Sequence, residues 1–451
     1  MWREIKWSRV GIFLFFLLAG LTPQARANVT VLLEEPYSYD GALAGTGHTA
    51  VYLTRVCAAA TPATLRRCNP GEHGVVISRY ARIGGYDWIA IPLVPYLYAV
   101  ENPEDVPLYA DPKLETFLRD QYRRAYLEDI VPDAPGGEMP KGDWYELIGS
   151  SYDRTNYGFE IETTPEQDNA LIAWLNSRPN RASYNFVSRN CADFVREVLD
   201  FYFPHSVARG SFPDLFVSTP KHAAKSLARY GKRHPDLEFT KFVIPQVPGS
   251  VKRSRPVRGV LESLFRAKKY VVALAVFHPL LAGGAVSADL IGDRFNSARN
   301  ARVFSLTSEP SAPPTDAERR AFLKDLQTMT THAADRDAIA SETAWRKFVE
   351  KSEPKLDADG QAVLQALEGP DGKETVELGV TRRDLQGGSA PVELQRELLV
   401  SRLRQTLAHS RAPRISRNEL REDWHLLKQI DDAEQEKFSK KFSQGVQLAN
   451  Q

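Results

Sequence analysis

The chain has 451 residues, 43% of them hydrophobic and 25% charged, with 58 Lys+Arg against 57 Asp+Glu and a formal net charge of +1. That length leaves room for more than one unit of the usual size, about 100–200 residues. The balanced charge supplies no global field for a polyanion, and no basic stripe interleaved with aromatics runs through the N-terminal half, so no nucleic-acid partner is expected.

Arg3, Lys6 and Arg9 precede an apolar run, VGIFLFFLLAGL (10–21), and QARA then ends in Ala25-x-Ala27, small residues at the spacing signal peptidase favours. Residues 1–27 read as an export signal, with an uncleaved anchor as the alternative, although the run is short for a bilayer. No Cys follows the run, so it is not a lipoprotein signal. The mature chain is expected to begin near Asn28 and to reside in the periplasm or cell envelope.

VTVLLEEPYSYD (29–40) begins as a strand and ends in a turn, and its Glu34–Glu35 pair, like Glu101–Glu104, reads as surface charge. GHTAVYLTRVC (47–57), GVVISRYARI (74–83) and YDWIAIPLVPYLYAV (86–100) are rich in β-branched and aromatic residues and read as strands. DPKLETFLRDQYRRAYLEDI (111–130) carries Leu114, Phe117, Tyr122 and Leu127 at helical spacing, with Pro112 suited to a first turn. TPEQDNALIAWLNSR (164–178) reads as a helix capped by Thr164, and STPKHAAKSLARYG (218–231) as a capped helix ending on Gly231. Between them, YNFVSRNCADFVREVLD (184–200) places Asn190 at an N-cap and Phe194, Val195, Val198, Leu199 and Tyr202 on one helical face.

From about residue 245 the character changes. Residues 248–269 are basic, and 270–288 are apolar and about as long as a membrane span, interrupted by His278-Pro279 and Gly283-Gly284. The basic cluster lies on the side opposed to the positive-inside bias, so a span, a buried element and a membrane-surface element all stay open. A membrane surface is an expected partner for residues 249–292. After SEPSAPPTDAERR (308–320), a Pro/Ser linker, residues 393–410 and 417–442 look helical with solvated charged faces. The expected units are thus 1–27, 28–245, 246–307 and a polar helical region over 308–451.

The chain holds three cysteines. Cys57 and Cys68 flank one Pro-containing loop and read as a disulfide in an oxidising compartment, with two buried free thiols as the alternative. Cys191 is then the odd one. At a helix N-terminus the dipole favours thiolate, the nucleophile of cysteine hydrolases, and nearby N–H groups can hold an oxyanion. The plainer alternative is a small apolar residue packed at a helix start. Of nine histidines, His48 opens a strand after Gly45 and Gly47, and His73 in PGEHGVV opens another. His205, His222 and His234 lie in polar or basic contexts, His278 in the apolar run, and His332, His409 and His425 in the tail. No His/Cys pair has metal-ligand spacing, and neither a phosphate loop nor a G-x-S-x-G elbow is present, so no metal or cofactor is expected.

GHTAVYL followed by YNFVSRNCADFVREVL resembles the circularly permuted papain-like hydrolases, a group that includes the lecithin:retinol acyltransferase relatives and bacterial envelope families with a Y-x-F-x-x-x-N-C motif. The resemblance covers roughly residues 29–235, about half the chain. It implies an α+β fold, an antiparallel sheet packed with helices and the Cys helix against the sheet. It also implies Cys191 as nucleophile, His48 as base and Asn190 as support, in a thiol hydrolase or acyltransferase that cleaves an amide or ester through acyl-Cys191. A cell-wall peptide or a lipid is the expected substrate. Relatives carry a third polar residue on the next strand. Here the Cys57–Cys68 loop displaces that strand, leaving His73 as first candidate and Glu72 as second. A non-catalytic envelope scaffold with a degenerate papain-like domain is the alternative function.

Overall fold

A computed structural model describes residues 27–37, 44–81, 83–107, 110, 112–181, 184–210, 214, 216–247, 254–260, 262–263, 295–298, 301–304, 306, 351–356, 362–366 and 375–377. The expected signal up to residue 26, the apolar run 270–288 and the helices at 393–410 and 417–442 lie outside the described residues. Among the described residues, no helix is long and apolar enough to cross a membrane.

Nine strands come first: β1 (Ala27–Glu34), β2 (His48–Leu53), β3 (Val56–Ala58), β4 (Leu65–Arg67), β5 (Val75–Ser78), β6 (Ile89–Pro92), β7 (Asn156–Thr163), β8 (Thr240–Ile244) and β9 (Arg302–Val303). Seven of them form a sheet in the order β6-β5-β2-β1-β7-β8-β9, antiparallel except for the short parallel β8–β9 pair. β3 and β4 form a separate hairpin, closed by a disulfide between Cys57 and Cys68. Closing so short a loop stabilises the fold by about 2–3 kcal/mol in the chain-entropy picture. In the C-terminal region, β10 (Ser352–Leu356), β11 (Ala362–Ala366) and β12 (Thr375–Glu377) pair as an antiparallel sheet inside a stretch expected to be helical.

The helices are α1 (Leu93–Tyr98), α2 (Pro112–Tyr126), α3 (Ser150–Asp153), α4 (Pro165–Asn176), α5 (Cys191–Tyr202) and α6 (Pro220–Arg233). Strand alternation sorts them into two layers. Val29, Val31 and Leu33 of β1, with Val51 and Leu53 of β2, pack against Leu171 and Leu175 of α4, Phe194, Val198 and Leu199 of α5, and Ala224 and Leu227 of α6. Leu32, Ala50, Tyr52 and Val76 point the other way, onto Tyr96 and Leu97 of α1, Leu114 and Leu118 of α2, and Tyr152 of α3. The fold is therefore α+β, a largely antiparallel sheet with helices on both faces.

Local signals explain most boundaries. Thr164 and Asn190 each close a reciprocal capping box, with Gln167 and Asp193 respectively, which starts α4 and α5 where the caps stand. Thr219 caps α6, but this helix runs past Gly231 to Arg233. Gly231 is not its stop. A Cβ there would lie 2.5 Å from the Phe239 ring, so the glycine admits a close contact inside the helix. The run 86–100 is also more than a strand. β6 ends at Pro92, and Leu93–Tyr98 turns into a helix with Leu93, Val94, Tyr96 and Leu97 buried. Pro95 is tolerated because a first-turn N–H has no intrahelical acceptor.

Candidate functional site

Cys191 and His48 line one cavity of about 250 Å³ at the end of the sheet, together with Tyr37, Glu146, Arg154, Tyr184, Phe186 and Asn190. They reach it from opposite layers. α5 brings Cys191 from the layer built on Val31 and Val51. His48 is the first residue of β2, opposite Glu34 of β1, and alternation puts it on the side of Ala50 and Tyr52.

The corner that carries the thiol is tightly specified. Asn190 Oδ1 accepts from the Asp193 N–H at 3.0 Å, and Asp193 Oδ2 accepts from the Asn190 N–H at 3.2 Å. Asn190 Nδ2 donates to the Phe186 carbonyl at 2.8 Å and to the Ser218 carbonyl at 3.0 Å. All of the Asn190 amide is therefore spent on structure, which clamps two loops together at the cavity mouth. The Thr49 N–H of β2 and the Ala192 N–H of the first turn of α5 favour the charged form of the Cys191 sulfur. The Asn190 and Asp193 N–H groups are engaged in the capping box, and the Cys191 N–H belongs to the same first turn, whose N–H groups have no intrahelical acceptor.

Electrostatics departs from the simple helix-dipole expectation. Cys191 is 7% exposed, and burial pushes its thiol up to about 12 despite the Thr49 and Ala192 N–H groups; Glu146 and Glu34 push the same way. Burial, then the nearby Arg154 guanidinium, push His48 down to about 3. The shifts favour a neutral thiol and a neutral imidazole in the one cavity, not a thiolate–imidazolium pair. One helix end cannot offset the removal of a thiolate from water.

The tautomer of His48 follows from its neighbours. The Ser78 hydroxyl donates to the Thr49 carbonyl at 2.8 Å, since a carbonyl can only accept. Its single proton is then committed, so its 2.9 Å contact with His48 Nε2 has the imidazole donating. Neutral His48 thus carries its proton on Nε2 and its lone pair on Nδ1. Tyr80 stacks on the ring, with centroids 5.2 Å apart, and hydrogen-bonds Tyr96, which in turn donates to Glu34. Glu34 pairs with Arg154 at 3.3 Å, and Arg154 lies over the Tyr37 ring at 4.4 Å.

His73 is not brought to this place. β2 and β5 run antiparallel with Leu53 opposite Val75, so His73 lies beyond the far end of β2 from His48, and its side chain is exposed. Five residues of strand separate those ends, about 17 Å. Glu72 is exposed as well and bonds Arg66 at 2.7 and 2.8 Å. It also neighbours Cys57 and Cys68, but those sulfurs are joined to each other and do not act as thiolate ligands. Glu34 and Glu35, read as surface charges, are 1% and 7% exposed. Sequence reasoning missed Ser78, Tyr80, Glu34, Tyr96 and Arg154. A faint signal for Ser78 existed, as the lone polar residue ending the apolar run GVVIS, on the strand next to His48.

Compared with protein-family models, curated proteins and solved structures, the chain matches none.

Proposed function

We propose that residues 28–245 form a permuted papain-like domain of an exported thiol hydrolase or acyltransferase that acts on an amide or ester bond. The observation that carries this reading is one cavity lined by Cys191 and His48, with Ser78 holding His48 in the tautomer whose lone pair is on Nδ1. In the reaction the Cys191 sulfur attacks the substrate carbonyl carbon while its proton passes to His48 Nδ1. The Cys191 N–H supports the oxyanion. Collapse breaks the C–N or C–O bond, and the leaving amine or alcohol takes the proton from Nδ1. Water, or an acceptor nucleophile, then cleaves the thioester with His48 again as base. Because the thiol rests protonated, proton transfer accompanies attack and does not precede it.

The test is acylation by an activated ester such as a p-nitrophenyl ester, followed by stopped-flow release of nitrophenolate and mass spectrometry. The expected result is one acyl group on Cys191, none in Cys191→Ser, and at least a hundredfold slower burst in His48→Ala. Acylation indifferent to His48, or only after denaturation, would overturn the reading. A non-catalytic envelope scaffold is the second reading, and the buried, protonated thiol is the observation in its favour.

A further inference from the structure

Two loops border the mouth of the cavity, and their tips expose large apolar side chains. The first is a tight turn. Asn185 and Arg189 form an isolated antiparallel bridge, and Asn185 Oδ1 accepts from the N–H groups of Val187 at 2.9 Å and Ser188 at 3.3 Å. Turn tips usually hold Gly, Asn, Asp or Ser. This one holds Phe186 and Val187, which are 38% and 62% exposed. In the second loop, Phe216 sits at φ +62°, a conformation that strains a bulky residue, yet its side chain is 73% exposed. The Asn190 amide ties the two loops together through the carbonyls of Phe186 and Ser218. Three of the five large hydrophobic side chains exposed among the described residues therefore share one rim.

The exposed charge on these loops is basic. Residues 176–190 include Arg178, Arg181 and Arg189 and no Asp or Glu, and over 204–219 Arg209 is exposed while the one acid, Asp214, is buried and accepts from the Thr219 hydroxyl and the Val260 N–H. Arg178 stacks on Trp174 and Arg189 pairs with Asp87, while Arg181 and Arg209 are exposed. Gly210 packs on the backbone of Phe216 and Val217, where a Cβ would meet the Val217 carbonyl at 2.2 Å, so Arg209 adjoins the Phe216 loop. Projecting apolar tips beside arginines match an anionic lipid interface, in which the hydrophobes enter the acyl boundary and the guanidinium groups meet headgroup phosphates.

We propose that the cavity mouth is a membrane-docking rim, with Phe186, Val187 and Phe216 entering an anionic lipid surface beside Arg181 and Arg209. The inference concerns the rim and stands independently of the chemistry assigned to Cys191. Docking there would turn the cavity toward the bilayer and present it with lipid-borne esters and amides.

The test reads the rim locally, so that anchoring by another part of the chain does not confuse it. The purified chain carrying Cys191→Ser and Ser188→Cys is labelled at the new thiol with an environment-sensitive fluorophore. The control carries the label at Lys232→Cys, exposed and 12 residues along α6 from Pro220 of the cavity wall, about 18 Å away. Vesicles containing phosphatidylglycerol are expected to blue-shift the label at position 188 and not at 232, with at least tenfold weaker response to pure phosphatidylcholine. Phe186→Ser/Val187→Ser/Phe216→Asn together, and Arg181→Glu/Arg209→Glu together, should each raise the lipid needed for half response at least tenfold. These side chains are exposed, and Asn suits the positive φ at 216, so the variants fold. No shift at 188, an equal shift at 232, or an unchanged response in both variant sets would overturn the proposal. A response to an acidic peptide without one to vesicles would overturn it too, and make the rim a protein-docking site.

Discussion

On the face of the sheet covered by α4, α5 and α6, the centre is aliphatic and aromatic, with Phe194, Val195, Val198 and Leu199 each at most 1% exposed, and its buried charges, Arg79 with Asp87 and Asp168 with Arg67, stand apart from His48. On the face covered by α1, α2 and α3, the same apolar packing surrounds buried ions. Glu34 pairs with Arg154, Arg119 with Asp153, and Arg123 with Asp120 and Asp133. The first face gains stability from area removed from water. The second spends part of that gain on desolvating charge, because buried pairs roughly break even against apolar replacements. What the second face obtains is fixed geometry. Arg154, Glu34, Tyr96 and Tyr80 form a connected set against the ring of His48.

The largest expected effects test that contrast directly. Phe194→Ala should cost about 3–5 kcal/mol by leaving a cavity in the apolar layer. Arg154→Ala should cost a similar 3–5 kcal/mol, by leaving Glu34 buried without its cation. The two losses differ in how they are repaired. The double variant Glu34→Leu/Arg154→Met should return to within about 2 kcal/mol of the parent, since the charge and its need for a partner leave together. Urea unfolding midpoints at a common slope give all three values. If Arg154→Ala costs under about 1 kcal/mol, the second face does not depend on its ions and the contrast fails.

Next in size is acid sensitivity. His48 has its folded value depressed to about 3, so its contribution to stability is present above the unfolded value near 6.5 and is lost as pH falls toward 3. Between pH 7 and 4 the parent should lose about 3 kcal/mol more than His48→Gln, which cannot titrate there. Chemical denaturation at each pH measures the difference. Parallel pH profiles for the two proteins would place His48 in water, not in the buried site.

How much of this was legible in the sequence depends on the range of the signal. Caps are local, so Thr164, Asn190 and Thr219 announced three helices within a few residues. Alternating apolar runs announced β1, β2 and β5, and the strand that opens with His48 followed from them. The Cys57–Cys68 bridge was readable because both cysteines flank one short loop. Strand register was not readable, and register decides who stands beside His48. His73, the candidate from the linear chain, and Ser78, which that reading missed, stand at opposite ends of β5. The charge of Glu34 was no guide to its burial, because its partner Arg154 arrives from another strand's approach 120 residues later. The protonation of Cys191 depended on how deeply α5 packs, which periodicity does not give.

The smallest effects discriminate most sharply between those two residues. Ser78→Ala removes the acceptor of the His48 Nε2–H at a buried hydroxyl, and an orphaned donor there costs about 1–3 kcal/mol. The ring is then free to turn, which moves the Nδ1 lone pair out of place, or to move its proton, which takes the lone pair off Nδ1. Acylation of Cys191 should slow about ten- to a hundredfold, within the usual range for a general base that is lost in part. Nitrogen NMR of His48 separates this from a mere loss of stability, because the tautomer shift should appear in the folded variant. His73→Ala should change neither rate nor tautomer, and should move stability by no more than about 0.5 kcal/mol, as for other exposed side chains. A tenfold slower acylation in His73→Ala, with Ser78→Ala unaffected, would mean that the chemistry lies at the disulfide end of β2 and β5 and not at the cavity end.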